Sequence, residues 1–210
     1  MTSTQNASTQ AAITPDEAVQ RLVEGNQRFV ENRRLDRDLL VQVEATRAGQ
    51  WPFAAVLGCI DSRVPVEAVF DAGIGDLFSA RVAGNFVNED ILGSLEFACK
   101  VAGAKLVVVL GHTHCGAIKG ACDDVQLGNL TAMLAKLRPA VERVAEPADP
   151  AQRNSGNLEF VRAVTRQNVE STTAGVREKS PVLRELEEAG AIRIVGAIYD
   201  VESGAVEWLD

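Results

Sequence analysis

Two apolar runs that each end abruptly in potential metal ligands constrain this chain more than any other feature. The first is Val56-Leu57-Gly58-Cys59-Ile60-Asp61-Ser62-Arg63. The second, Val107-Val108-Val109-Leu110-Gly111-His112-Thr113-His114-Cys115-Gly116, is strongly β-branched before its polar switch. Both carry the signature of a buried strand. Residues two apart on a strand point the same way, so Cys59 and Asp61 can face one spot. His112 closes the second strand, and Cys115 follows where a helix would begin. Two Cys, one His and one Asp at the carboxyl ends of two buried strands make a tetrahedral zinc set. Each half alone is weak: a single buried Cys is usually a small hydrophobe, and a His-x-x-Cys spacing often arises by chance. Together they fall where open α/β sheets bind ligands.

The rest of the sequence agrees with one globular α/β domain. The 210 residues suffice for a substantial core, and a hydrophobic content of 46% with 24% charged residues is ordinary for a soluble protein. The net charge of -8 and the lack of any basic stretch argue against nucleic acid and against an anionic membrane surface. No apolar run approaches a transmembrane span. Met1 to Ala12 is polar, lacks an apolar signal core and reads as a disordered leader, leaving residues 13–210 as a single domain. The four Cys do not suggest a disulfide scaffold. Cys59 and Cys115 serve better as thiolate ligands, Cys99 and Cys122 read as buried free thiols, and reducing cytoplasm is the expected compartment.

Local signals set the order of elements. Thr14-Pro15-Asp16-Glu17 is a helix start with a capping box, and the helix runs through Asn32. Strands are expected at Ala54 to Gly58, Leu77 to Val82, Lys105 to Leu110 and Ile192 to Val201, with a hairpin turn at Glu202-Ser203-Gly204 into a last strand, Ala205 to Leu209. Between them lie helices capped by Asn85 or Asn88, at Gly116 to Cys122, at Leu127 to Val144 with Pro139 as a kink or break, at Leu158 to Glu178, and from Ser180-Pro181 to Glu188. The expected fold is a mostly parallel central sheet of order 2-1-3-4, an antiparallel C-terminal strand, helices on both faces and an N-terminal helical arm. With the first and third strands adjacent, their carboxyl ends flank the ligand crevice.

Cys59, His112 and Cys115 leave one position of a tetrahedron for Asp61 to decide. If Asp61 binds zinc, the site is shut and structural; if it is drawn off, water can enter. Arg63, two residues on, can draw Asp61 away by a bidentate pair. Cys115, at a helix start, has the macrodipole to help it ionise. Two thiolates neutralise the metal's formal charge, so activity is expected to rise above neutral pH.

The motif Cys59-x-Asp61-x-Arg63 with His112-x-x-Cys115-Gly116 resembles the β-class carbonic anhydrases. Gly25-Asn26-Gln27-Arg28-Phe29, Gly75-Asp76-Leu77-Phe78-x-x-Arg81-x-Ala83-Gly84-Asn85, Ser94-Leu95-Glu96-Phe97-Ala98 and Val195-Gly196-Ala197-x-Tyr199-Asp200 extend the resemblance over nearly all of the chain after the leader. The resemblance implies reversible hydration of carbon dioxide to bicarbonate and a proton by a zinc-bound hydroxide. It implies Cys59, His112 and Cys115 as Zn2+ ligands, Asp61 to orient the hydroxide or to ligate zinc in a closed form, and Arg63 to hold Asp61. It places Gln50 at substrate, Phe78, Ala83 and Phe97 around an apolar pocket, and a backbone N–H of Gly116 nearby. It implies a homodimer or higher homo-oligomer. His114 is a candidate proton shuttle. The sequence departs from members that bicarbonate closes: Arg81 and Tyr199 match their pattern, but Val56 stands where they carry Trp. Two other functions share these residues: hydrolysis of carbon disulfide or carbonyl sulfide on the same scaffold, and a closed zinc site that is structural or a metal-responsive binding module.

Overall fold

The computed structural model describes residues 4–209. Its core is one five-stranded sheet in the order β2-β1-β3-β4-β5. The strands are β1 (Ala54–Gly58), β2 (Leu77–Arg81), β3 (Leu106–His112), β4 (Arg193–Tyr199) and β5 (Val206–Leu209). The first four are parallel and β5 returns antiparallel along β4. The order expected from the sequence is therefore the order found. From β1 the chain crosses outward to β2, then back to β3 on the other side. That reversal opens a crevice at the carboxyl ends of β1 and β3.

Alternation along the strands divides the core. Val56, Leu106, Val108, Leu110, Val195 and Ala197 pack with Ala18, Leu22, Val66 and Phe70 of α2 (Pro15–Val30) and the turn around α4 (Val66–Val69). Ala55, Val107, Val109, Ile194 and Ile198 face the other way. They meet α5 (Glu89–Glu96) with its π-helical extension Phe97–Val101, α9 (Leu158–Lys179) and α10 (Pro181–Glu188). Gly111 lets α9 lie close to β3, since a Cβ there would meet Val169 Cγ2 at 2.5 Å. A third apolar cluster joins Cys59 and Cys115 to α6 (Gly116–Cys122), α7 (Gly128–Leu134), α8 (Arg138–Arg143) and the start of α9. Pro139 sits in the first turn of α8, so the expected long helix is two, broken where the Pro N–H is not needed.

The N-terminal segment departs from expectation. Met1 to Ser3 lie outside the described residues, but Ala7–Ala12 form a helix, α1, with a capping box from Asn6 and Thr9. Gln10 fixes it, donating from Nε2 to Pro52 O at 2.7 Å and Ala102 O at 2.8 Å. Its polar composition suits this docking onto backbone carbonyls rather than disorder. Beyond α2, α3 (Leu39–Thr46) leaves Leu39, Leu40, Val41 and Val43 exposed, Leu40 at 80%. Among the described residues no helix is long and apolar enough to cross a membrane.

Candidate metal centre

Of the five strands, β1 and β3 lead directly into the candidate ligands. Cys59 leaves β1 directly after Gly58, which pairs with Leu110 of β3 and Arg81 of β2. His112 is the last residue of β3, and Cys115 is the N-cap of α6. The reactive atoms of Cys59, His112 and Cys115 all lie within 4.8 Å of one another, and all three residues are buried. Two thiolates on one tetrahedral zinc, each bonded at about 2.3 Å, stand about 3.8 Å apart; the two Sγ atoms are 3.9 Å apart. His112 donates from Nδ1 to the Thr113 carbonyl at 2.9 Å, which fixes the tautomer and leaves Nε2 with a lone pair. That Nε2 is buried with no hydrogen-bond partner among the described residues. An orphaned imidazole nitrogen between two close sulfurs is what a zinc ion would satisfy, so the residues fit the metal.

The thiols divide the charge unequally. A hydrogen bond from Cys115 draws the Cys59 thiol down, aided by the Gly84 N–H, whose nitrogen lies 3.4 Å from Sγ. Cys115 is pushed up, first by its bond to Cys59 and then by burial. Two thiolates this close repel, so both ionise together only where a cation lies between them.

Asp61 is held off the three ligands. Arg63 donates from Nε to Oδ1 at 3.0 Å and from Nη2 to Oδ2 at 2.8 Å, and its own N–H caps Oδ1 at 2.9 Å. This bidentate pair holds the Asp61 carboxyl down at about 2, so it stays ionised. Oδ2 lies 3.8 Å from His112 Nε2, beside the site and outside bonding distance. Arg81, at the end of β2, donates to the carbonyls of Cys59 at 2.8 Å and Asp61 at 2.6 Å and pins the turn between them. Val56 is fully buried in β1.

Ala83 adjoins Gly84 in the loop against Cys59, and Gly116 opens α6 with an exposed backbone. Three other expected site residues lie elsewhere in the chain. Gln50 is exposed and precedes β1 at its amino end, opposite the metal ligands. Phe78 pairs with Ala55, four residues short of Cys59, or about 13 Å along the strand. It meets Phe97 edge-on at 6.1 Å in a groove outside β2, with Phe97 48% exposed. The family resemblance alone put these side chains at substrate, and local strand or helix spacing does not say which end of the sheet they reach. Sequence reasoning passed over Asn168. It donates from Nδ2 to Gly84 O at 2.9 Å, holding the loop whose N–H meets Cys59. Its signal was a polar residue on the buried stripe Phe160, Val161, Val164, Thr165, Val169 of α9.

An open parallel sheet with a Cys-His-Cys group at its switch point that could hold a metal, and a carboxylate held beside it, places the chain among α/β proteins that bind ligands at their strand ends. Comparison identifies the family within that class. The carbonic anhydrase family profile matches residues 54–206. Carbonic anhydrase 2 of Mycobacterium tuberculosis is 38% identical over 191 residues, covering 90% of each chain. The carbonic anhydrase of Mycolicibacterium smegmatis is 37% identical over 194 residues, covering 92% of each. Among solved structures, a β-carbonic anhydrase of Aspergillus fumigatus superposes with a TM-score of 0.72 at 28% identity, over 93% of this chain and 90% of that one. The chain belongs to the β-class carbonic anhydrase family.

Proposed function

We propose that this chain hydrates carbon dioxide reversibly to bicarbonate and a proton, with zinc held by Cys59, His112 and Cys115. The observation that carries the reading is the bidentate Arg63–Asp61 pair, which holds the Asp61 carboxylate beside the three proposed ligands, its Oδ2 3.8 Å from His112 Nε2. A purely structural zinc site needs no such pair. Zinc bound there supplies the Lewis acidity that makes water a nucleophile near neutral pH. Asp61, ionised, offers Oδ2 to an incoming water and aligns its lone pair with the carbon. Arg81 and Arg63 hold Asp61 from either side. The apolar floor beneath Cys59 and Cys115 suits a substrate without a net dipole. The Gly116 N–H, at the start of α6, is a donor for the charge that develops on the substrate oxygens.

We also propose that the chain works as a homo-oligomer. Exposed α3 and the open groove of edge strand β2 are apolar surfaces of the kind that pair with a second copy. Gln50, Phe78 and Phe97 then reach substrate only from such an assembly. Cys99 and Cys122, thiols beside the two proposed ligands, suit reducing cytoplasm.

The test is metal removal and return. Chelation should abolish carbon dioxide hydration, and one equivalent of zinc per chain should restore it. Turnover of carbonyl sulfide or carbon disulfide in place of carbon dioxide by the restored protein would reassign the substrate. Restored zinc with none of these activities would leave a structural site.

A further inference from the structure

Asp200 closes the segment Val195 to Asp200 and has no part in the chemistry above. Its carboxylate accepts from Ser203 Oγ at 2.7 Å and the Glu202 N–H at 3.2 Å, within the β4–β5 turn. Backbone bonds of 2.8 Å, from Asp200 N–H to Ala205 O and from Gly204 N–H to Asp200 O, already close that turn. One further bond leaves it. Thr113, 87 residues earlier in the chain, donates from Oγ1 to Asp200 Oδ1 at 2.9 Å. Thr113 Oγ1 also accepts from the Val201 N–H at 3.0 Å, and the Thr113 N–H donates to Tyr199 O at 2.9 Å.

Thr113 carries the carbonyl that receives the His112 Nδ1–H. The position of that carbonyl is not set by the sheet, because β3 ends at His112. The next residue, His114, has a left-handed φ of 57°, a conformation that a non-glycine residue holds only when its surroundings enforce it. Without support the peptide between Thr113 and His114 can swivel, carrying the imidazole's hydrogen-bond partner with it.

We propose that Asp200 is a positioning residue for His112, acting through Thr113: it anchors the Thr113 hydroxyl, and the anchored carbonyl holds the imidazole with Nε2 aimed between Cys59 and Cys115. The inference rests on the reading of those three residues as the zinc ligands. Outer partners of a metal-bound His typically change metal affinity by about 10–100-fold when removed.

The experiment compares Thr113→Val, which keeps the side chain's shape but loses the hydroxyl, with Thr113→Ser, which keeps the hydroxyl, and with Asp200→Ala. Zinc affinity is measured by competition with a chromogenic chelator, and metal-free stability by thermal unfolding. Thr113→Val and Asp200→Ala should each weaken zinc by about 10–100-fold, while Thr113→Ser should bind like the unaltered protein. Equal zinc affinity in all four proteins would overturn the proposal. So would weakening by Thr113→Ser as large as by Thr113→Val, or a loss of metal-free stability in Thr113→Val with zinc affinity unchanged. If Asp200→Ala fails to fold, the two Thr113 variants, which leave the turn's own bonds intact, still decide the matter. Failure of the unaltered protein to bind zinc would instead remove the ligand assignment, and this inference with it.

Discussion

At the scale of the residue, the proposed function turns on Asp61. Its carboxylate lies 3.8 Å from His112 Nε2, a small displacement from ligating a metal there. Three hydrogen bonds from Arg63 hold it back. Since the pair keeps the Asp61 carboxyl near 2, protonation of Asp61 cannot move it at any ordinary working pH. Geometry alone does so, and Arg63→Ala should release it. Zinc content should stay at that of the unaltered protein, while kcat/KM for carbon dioxide at neutral pH should fall by about 10–100-fold, the scale of a misplacement near 1 Å. Stopped-flow hydration with parallel metal analysis reads both. Undiminished hydration by Arg63→Ala would show that Asp61 needs no restraint.

Among the elements, the close approach of α9 to β3 fixes the floor of the site. Gly111 makes it possible, one residue before His112. A methyl group at Gly111 would press on Val169, so Gly111→Ala should cost about 1–3 kcal/mol through overpacking. In a chain of this size, each kcal/mol lowers Tm by roughly 2–4 °C. Thermal unfolding gives the value, and an unchanged Tm would mean that α9 yields without cost. The elements were largely legible in the sequence. β-branched runs marked β3, capping residues marked α2, and the polar switch after each run marked the ligand positions. Contacts between elements were not. Gln10 docks α1 by reaching carbonyls of two distant segments, so α1 carries little apolar signal of its own. Phe78 and Phe97 have helix and strand spacings that fit a core, yet they meet at the outside of an edge strand.

The whole molecule depends on tying its N-terminal arm to the sheet. Asp71, buried and in a left-handed conformation at φ 43°, receives Arg28 from α2 and Arg37 from the segment before α3. Burial raises its carboxyl, but hydrogen bonds from Arg28, Arg37 and the Leu35 N–H outweigh this and leave it lowered. A lowered folded value means that the unfolded chain binds the proton more tightly. The stabilisation is therefore complete above the unfolded carboxylate value of about 3.9 and is lost as pH falls through the folded one. Asp71→Asn should destabilise at neutral pH by about 3–5 kcal/mol, since two cations lose their partner. It should also flatten the acid limb of the stability curve, as followed by denaturant unfolding between pH about 5 and about 2. An acid limb as steep as that of the unaltered protein would place the sensitivity elsewhere. The arm ends in the exposed apolar helix α3, with Leu40 at 80% exposure. Leu40→Glu should shift the protein towards monomer in sedimentation, and no shift would remove α3 from the assembly contact.

The central claim is an open zinc centre that hydrates carbon dioxide. It is tested most directly by the hydration rate of protein carrying one zinc per chain, measured by stopped flow at pH about 7 and about 8.5, on either side of the shift expected for water on a thiolate-ligated zinc. The arrangement of Asp61 and Arg63 predicts hydration at both values, with the faster rate at the higher. Zinc-loaded protein that is inert at both would contradict the account, and activity confined to the higher pH would mean either that Asp61 closes the site or that water on the thiolate-ligated zinc ionises only there.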